Sequence, residues 1–230
     1  MKTIGLLGGM SWESTVTYYQ LINTAMKEQL GGYHSAKIIL HSVDFAEIEA
    51  CQVRGDWTRT GEILGEAAAG LERAGADFLL ICTNTMHKVA PQIAEHISIP
   101  MLHIAEATAD ALEEQGIRRV GLLGTRYTMQ QAFYKDKLTE RGIQVLIPEE
   151  EEMEQVNSVI FNELCLGIVS DTSRKAYLDI IDRLVRCGAQ GVVLGCTEIG
   201  LLVTQSDTST PLFDTTHIHA DRAVKLALEE

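Results

Sequence analysis

The chain has 230 residues, enough for one large domain or two small ones with their own cores, and 46% hydrophobic with 22% charged residues is an ordinary globular mix. A formal net charge of −13 excludes a nucleic-acid backbone or an anionic membrane surface as the expected partner, since both require a basic face. A small acidic ligand stays compatible, because a few local donors suffice to hold one. No apolar run approaches a membrane span, and Met1-Lys-Thr-Ile-Gly5 enters a strand directly, so no leader is expected. Five cysteines (51, 82, 165, 187 and 196) without CxxC spacing read as reduced thiols in a cytoplasmic protein.

In chain order, the first half has predicted strands at 2–8, 36–43, 76–83 and 99–104. The second half has them at 119–124, 143–147, 190–196 and 211–214. Several are continuous apolar runs, the mark of parallel strands covered on both faces. Between them, helical patterns fall near 13–30, 57–73, 87–96, 105–115, 129–141, 153–168, 172–187 and 216–229. Gly75, Gly116, Gly142 and Gly188 stand where helices stop. The acidic run Glu149–Glu152, after Pro148, opens a helix where negative charge suits the N-terminal dipole.

The two halves repeat. Leu71–Thr83 aligns without a gap on Leu184–Cys196, with Leu, Arg, Gly and Ala identical at the start of each copy. Ile4-Gly-Leu-Leu-Gly-Gly9 likewise resembles Val120-Gly-Leu-Leu-Gly-Thr125. The expected fold is α/β, with two pseudo-twofold lobes of four parallel strands each and an active site in a cleft between them. Lobe one spans 1–105 and lobe two 106–214, and the tail 215–230 can pack on either.

Each copy ends on a polar residue just beyond a strand's C-terminal end, where parallel sheets bind ligands. In the second copy this is Gly195-Cys196-Thr197-Glu198, whose thiol lies between a strand and a helix start, a position that can lower its pKa. In the first copy Thr83, not Cys82, takes that place, because adjacent strand residues point to opposite faces. Asn84 and Thr85 follow it, as helix caps, as holders of a carboxylate, or as both. His87 is either a local helix residue or an aid in positioning Thr83. Gly8-Gly9-Met10-Ser11 and its partner Gly124-Thr125 carry neither GxGxxG nor a P-loop, so they suit a small anion better than a nucleotide. Gln52 and Arg54 follow the second strand. His217-Ile-His219 puts its rings on different helix faces, so no metal is expected.

Taken together, Gly8-Gly-Met-Ser11 with Tyr18-Tyr19, Thr83-Asn-Thr-Met-His87, Gly124-Thr125, Gly195-Cys-Thr-Glu198 and Asp214-Thr-Thr-His217 resemble the aspartate/glutamate racemase family. The resemblance runs nearly end to end. It implies a racemase free of pyridoxal phosphate or any other cofactor, acting on a small amino acid, and a homodimer. Cys196 and Thr83 are implied as the acid/base pair, although the family usually has cysteine where Thr83 stands. Asn84, Thr85 and Thr197 are implied around the substrate carboxylate, with Met10, Ser11, Gln52, Thr125 and Glu198 completing the binding set. Related racemases use the second thiol on the L-enantiomer, so a bias to L-aspartate, L-glutamate or a similar polar amino acid is expected. Glu163-Leu-Cys-Leu-Gly167 offers no lysine for a distal carboxylate, which leaves the side-chain preference open. Two rivals remain at this level. One is a one-cysteine malonate decarboxylase or a maleate- or hydantoin-type relative of the same fold; the other is a non-catalytic amino-acid-binding protein.

Overall fold

The computed structural model describes residues 1–229. Its elements are β1 (Ile4–Gly8), α1 (Trp12–Leu30), β2 (Ile38–Ser42), α2 (Phe45–Arg54), α3 (Trp57–Arg73), β3 (Phe78–Ile81), α4 (Ala90–Ala94) and α5 (Ile104–Glu114). These continue with β4 (Arg119–Gly124), α6 (Arg126–Gln130), α7 (Ala132–Thr139), β5 (Gln144–Leu146), α8 (Glu150–Asn162) and α9 (Asp171–Arg186). The chain closes with β6 (Val192–Gly195), α10 (Ile199–Leu202), β7 (Leu212–Asp214) and α11 (Thr215–Leu228). Two compact units emerge: Met1–Ile104 with the chain from His219 onward, and Ala105–Ile218.

The first unit holds a parallel sheet of order β2-β1-β3. Alternation along its strands sends side chains into two separate cores. Ile4 and Leu6 of β1 and Phe78, Leu80 and Cys82 at β3 pack with Tyr18, Ile22 and Met26 of α1 and with Ala220 and Val224 of α11. Leu7, Leu79 and Ile81 turn the other way, onto Leu64, Ala68 and Leu71 of α3. A sheet covered on both faces accounts for the unbroken apolar runs, and each fully buried leucine or isoleucine contributes on the order of 1.5–3 kcal/mol. The strand expected at 99–104 is reduced to a single parallel bridge, Leu79 to Met101. Pro100 has no N–H to extend the ladder, and the chain turns into α5 at Ile104.

The second unit holds a four-stranded parallel sheet, β5-β4-β6-β7. Val192 and Leu194 of β6 pack on Val156 and Ile160 of α8 and on Tyr177, Ile180 and Ile181 of α9. With the Met101 bridge counted, the strand order of the first unit repeats that of the second, as the sequence repeat requires.

Three helical expectations are redrawn. The segment 45–54 forms α2, which the helical patterns above pass over although Asp44 caps its start and Gly55 ends it in the left-handed region. The pattern at 87–96 divides into a 3-10 turn, Thr85–Val89, and the one-turn α4 around Pro91. The pattern at 129–141 breaks at Gln131, which is extended between α6 and α7. No helix among the described residues is long and apolar enough to cross a membrane.

Candidate active site

In the first unit, three loops gather at the C-terminal ends of the strands. Gly9 follows β1 with φ +91°, and a Cβ there would lie 2.3 Å from the Val43 carbonyl oxygen, so only glycine lets the chain turn beside β2. Its N–H donates to Thr15 Oγ1 at 2.8 Å. Met10 is buried, and the Met10–Ser11 peptide is cis. Ser11 caps α1 by accepting from the Ser14 N–H at 3.3 Å. The Ser14 hydroxyl lies 2.9 Å from the Ser11 carbonyl and 3.1 Å from the Cys82 carbonyl, tying the β1 loop to the end of β3. Gln52 is buried on α2.

Beyond β3, Cys82 is fully buried in the α1 and α11 core, and burial pushes its thiol far up. Thr83 has the opposite parity and is half-buried. Asn84 and Thr85 are buried, and Asn84 makes no side-chain cap bond to the turn that follows, so capping does not account for it. The imidazole of His87 lies 2.8 Å from the Thr83 carbonyl oxygen.

In the second unit, Gly124 and Gly195 end two adjacent strands. A Cβ on Gly124 would lie 2.8 Å from the Gly195 carbonyl oxygen, an approach that excludes any side chain. Thr125 caps α6, accepting from the Thr128 N–H at 3.4 Å. Cys196 continues the parity of Val192 and Leu194, at 8% exposure, with Tyr177 in the same cluster and Cys165 packed against it. Its thiol donates to Glu198 Oε2 at 3.0 Å, and the Thr197 hydroxyl donates to the same oxygen at 2.6 Å.

The expected lowering of the Cys196 pKa is overturned. Burial is the largest cause, and the Glu198 charge and hydrogen bond add to it; together they push the thiol well above its ordinary 9.0. The helix that would have opposed this, α10, is one turn long. Burial and the Glu198 charge therefore favour the protonated thiol, which holds its hydrogen bond to Glu198. Glu198 thus has a second position besides the binding set, as the partner of the thiol.

His217 and His219 belong to different environments. His217 Nδ1 is 3.1 Å from Asp214 Oδ2, and Asp214 also accepts the N–H groups of Thr216 and His217. His219 is buried in the first unit. Among the described residues no group of three or more His, Cys, Asp or Glu could hold a metal ion. Sequence reasoning missed the Cys196–Glu198 contact and the hydrogen bond between Tyr18 and His219. The spacing of two between Cys196 and Glu198 was visible, but whether both side chains turn inward at a strand end was not.

Comparison with known proteins points one way. The sequence profile described as Asp/Glu/Hydantoin racemase matches residues 7–223. A candidate Asp/Glu racemase from Yersinia pestis is 55% identical, with both chains covered in full and a TM-score of 0.94. An aspartate racemase homologue from Pyrococcus horikoshii OT3 is 36% identical over both full chains, with a TM-score of 0.88. The broad specificity amino-acid racemase RacX of Bacillus subtilis (strain 168) is 26% identical over 163 residues, which span 71% of this chain and 70% of that protein.

Proposed function

Because the chain belongs to the Asp/Glu/Hydantoin racemase family, we propose that it racemises a small polar amino acid, L-aspartate or L-glutamate first among them, by cofactor-free proton transfer at Cα. Cys196 and Thr83 act on opposite faces of that carbon. The observation that carries this reading is the 3.0 Å thiol–carboxylate contact beyond β6. Cys196 gives its proton to Glu198, and the thiolate then takes the Cα proton of the L-substrate. Asn84, Thr85 and the main chain at Thr197, whose hydroxyl is given to Glu198, surround the substrate carboxylate as it becomes an enediolate, the hard part of the reaction. Met10, Ser11, Gln52 and Thr125 complete the binding set. The Thr83 hydroxyl then relays a proton to the other face and is refilled from solvent, to which its half-buried position leaves access, while Glu198 returns its extra proton to solvent and the resting state is restored.

Threonine is a far weaker base than a thiolate, so turnover is lopsided in favour of the L-enantiomer. Incubation with L-aspartate and L-glutamate in deuterium oxide, followed by NMR at Cα, tests the reading. Exchange that vanishes in Cys196→Ala supports it, whereas no exchange with any amino acid sinks it. Thr83→Cys raises conversion of the D-enantiomer by about 10²-fold, the usual scale of a positioned acid/base group; equal maximal rates from both enantiomers in the unaltered protein contradict the bias. A homodimer in the cytoplasm belongs to the same reading, and light scattering decides the oligomeric part. A second reading, a one-thiol malonate decarboxylase, is favoured by the protonated resting state of Cys196 and the lack of a cysteine at Thr83. Carbon dioxide release from malonates would identify it.

A further inference from the structure

Three histidines of the first unit have no part in the proton transfer itself. They are His87, His103 and His219, at 1%, 9% and 0% exposure. The partners of two of them fix their tautomers. His87 Nε2 faces the Ile104 N–H at 3.2 Å, and an N–H only donates, so Nε2 carries no proton. The ring proton sits on Nδ1 and is donated to the Thr83 carbonyl at 2.8 Å. His219 is the reverse. Its Nε2 faces the Leu102 carbonyl at 2.8 Å and must hold the proton, which leaves Nδ1 to accept the Tyr18 hydroxyl at 2.8 Å. Both rings are neutral, and burial lowers the pKa of each. The rings of His87 and His103 meet edge to face at 4.5 Å, and His219 stands 5.9 Å from His87.

A local cause explains why an imidazole is needed at Thr83. In an α-helix the Thr83 carbonyl would accept the backbone N–H of residue 87. Here the segment is a 3-10 turn, and the His87 N–H goes to Asn84 at 3.1 Å instead. The carbonyl of the proposed proton relay is thereby left to the side chain of His87. The other end of that ring is anchored on the main chain at Ile104, next to the Met101 bridge. His219 and Tyr18 brace the same bridge through Leu102.

We propose that His87 is a positioning residue for racemisation. Its ring spans from the Ile104 N–H to the Thr83 carbonyl and sets the orientation of the Thr83 hydroxyl, while the Tyr18–His219 pair holds the far anchor in place. The inference rests on the proton-transfer reading, and it concerns one face of the substrate only.

Its test uses that asymmetry. In deuterium oxide with the L-substrate, deuterium returned to the L-form reports the Cys196 side, and D-product reports completion by Thr83. His87→Ala and His87→Gln, which lose the donor at the Nδ1 position, cut D-product by on the order of 10-fold or more while deuterium return to the L-form changes little. His87→Asn keeps an N–H near the Nδ1 position and recovers part of the product formation lost in His87→Ala. Equal loss of both signals in folded variants would overturn the proposal, as would Asn and Gln behaving alike. Long-range nitrogen–proton NMR provides a readout free of activity. An Nδ1–H neutral ring for His87 is expected, and an Nε2–H ring or an imidazolium at neutral pH would refute the assignment whatever the kinetics. If the unaltered protein exchanged no Cα proton at all, the racemase reading would fall and the positioning role with it, while the NMR result would still decide the bond to Thr83.

Discussion

Cys196 and Glu198 form a pair in which each sets the other's behaviour. The carboxylate makes the thiol harder to ionise, yet in the proposed mechanism it is also the group that accepts the thiol's proton when substrate is attacked. Glu198→Gln therefore has two opposed effects. Removing the negative charge lowers the Cys196 pKa, so thiolate absorbance in the ultraviolet appears at lower pH than in the unaltered protein. Removing the acceptor lowers kcat at neutral pH by about 10²-fold, the scale of one lost acid/base group. A pH titration of the thiolate beside a pH–rate profile checks both signs. Unchanged titration with unchanged rate would mean that Glu198 does not serve the thiol. The sequence repeat was enough to single out Cys196 and Thr83 as equivalent positions. It was silent on the protonation of Cys196, because desolvation depends on what the fold packs around the sulfur.

At the scale of elements, the strands were legible because parallel β-structure buried on both faces leaves an unbroken apolar trace. Short helices were less so. The segment 45–54 has a capping aspartate, a terminating glycine and buried positions at Ile48, Cys51 and Gln52, but its polar surface masks the period. Its cap carries a measurable share of stability: Asp44 accepts the Ala46 N–H at 3.1 Å, and Asp44→Ala costs about 1 kcal/mol. Chemical denaturation should show the midpoint fall without a change in slope. Because α2 carries Gln52, KM should rise in the same variant with little change in kcat. The turn after Thr83 reads in the sequence as the start of a longer helix, and its 3-10 form is what hands the Thr83 carbonyl to His87.

At the scale of the molecule, the buried imidazoles couple folding to pH. His87 ionises well below the ordinary 6.5, and His219 at about 3. The unfolded chain takes up those protons near 6.5, before the folded chain does. Stability is thus full above that value and falls as pH drops below it, by about 1.4 kcal/mol per pH unit for each imidazole held neutral. Carboxylates whose pKa is lowered, such as Glu72, Glu113 and Asp207, lose their contribution only at more acidic pH. Urea midpoints should therefore fall between pH 7 and pH 5, and the fall should shrink in His219→Gln. A flat profile over that range would show that the imidazoles are not neutral in the folded protein.

The sequence by itself determined the α/β class, the repeat of one strand–helix pattern and the two strand-end positions, because hydrophobic period, glycine stops and motif spacing are written locally along the chain. Tertiary structure alone decided which polar groups share a hydrogen bond and which are stripped of water. Cys196 meets Glu198 because the chain folds both side chains inward beyond β6, and His87 grips both Thr83 and Ile104 because the Met101 bridge brings the start of α5 beside the end of β3. Protonation and tautomer follow from those partners and from burial, and neither is encoded by a residue's type or its neighbours in the chain.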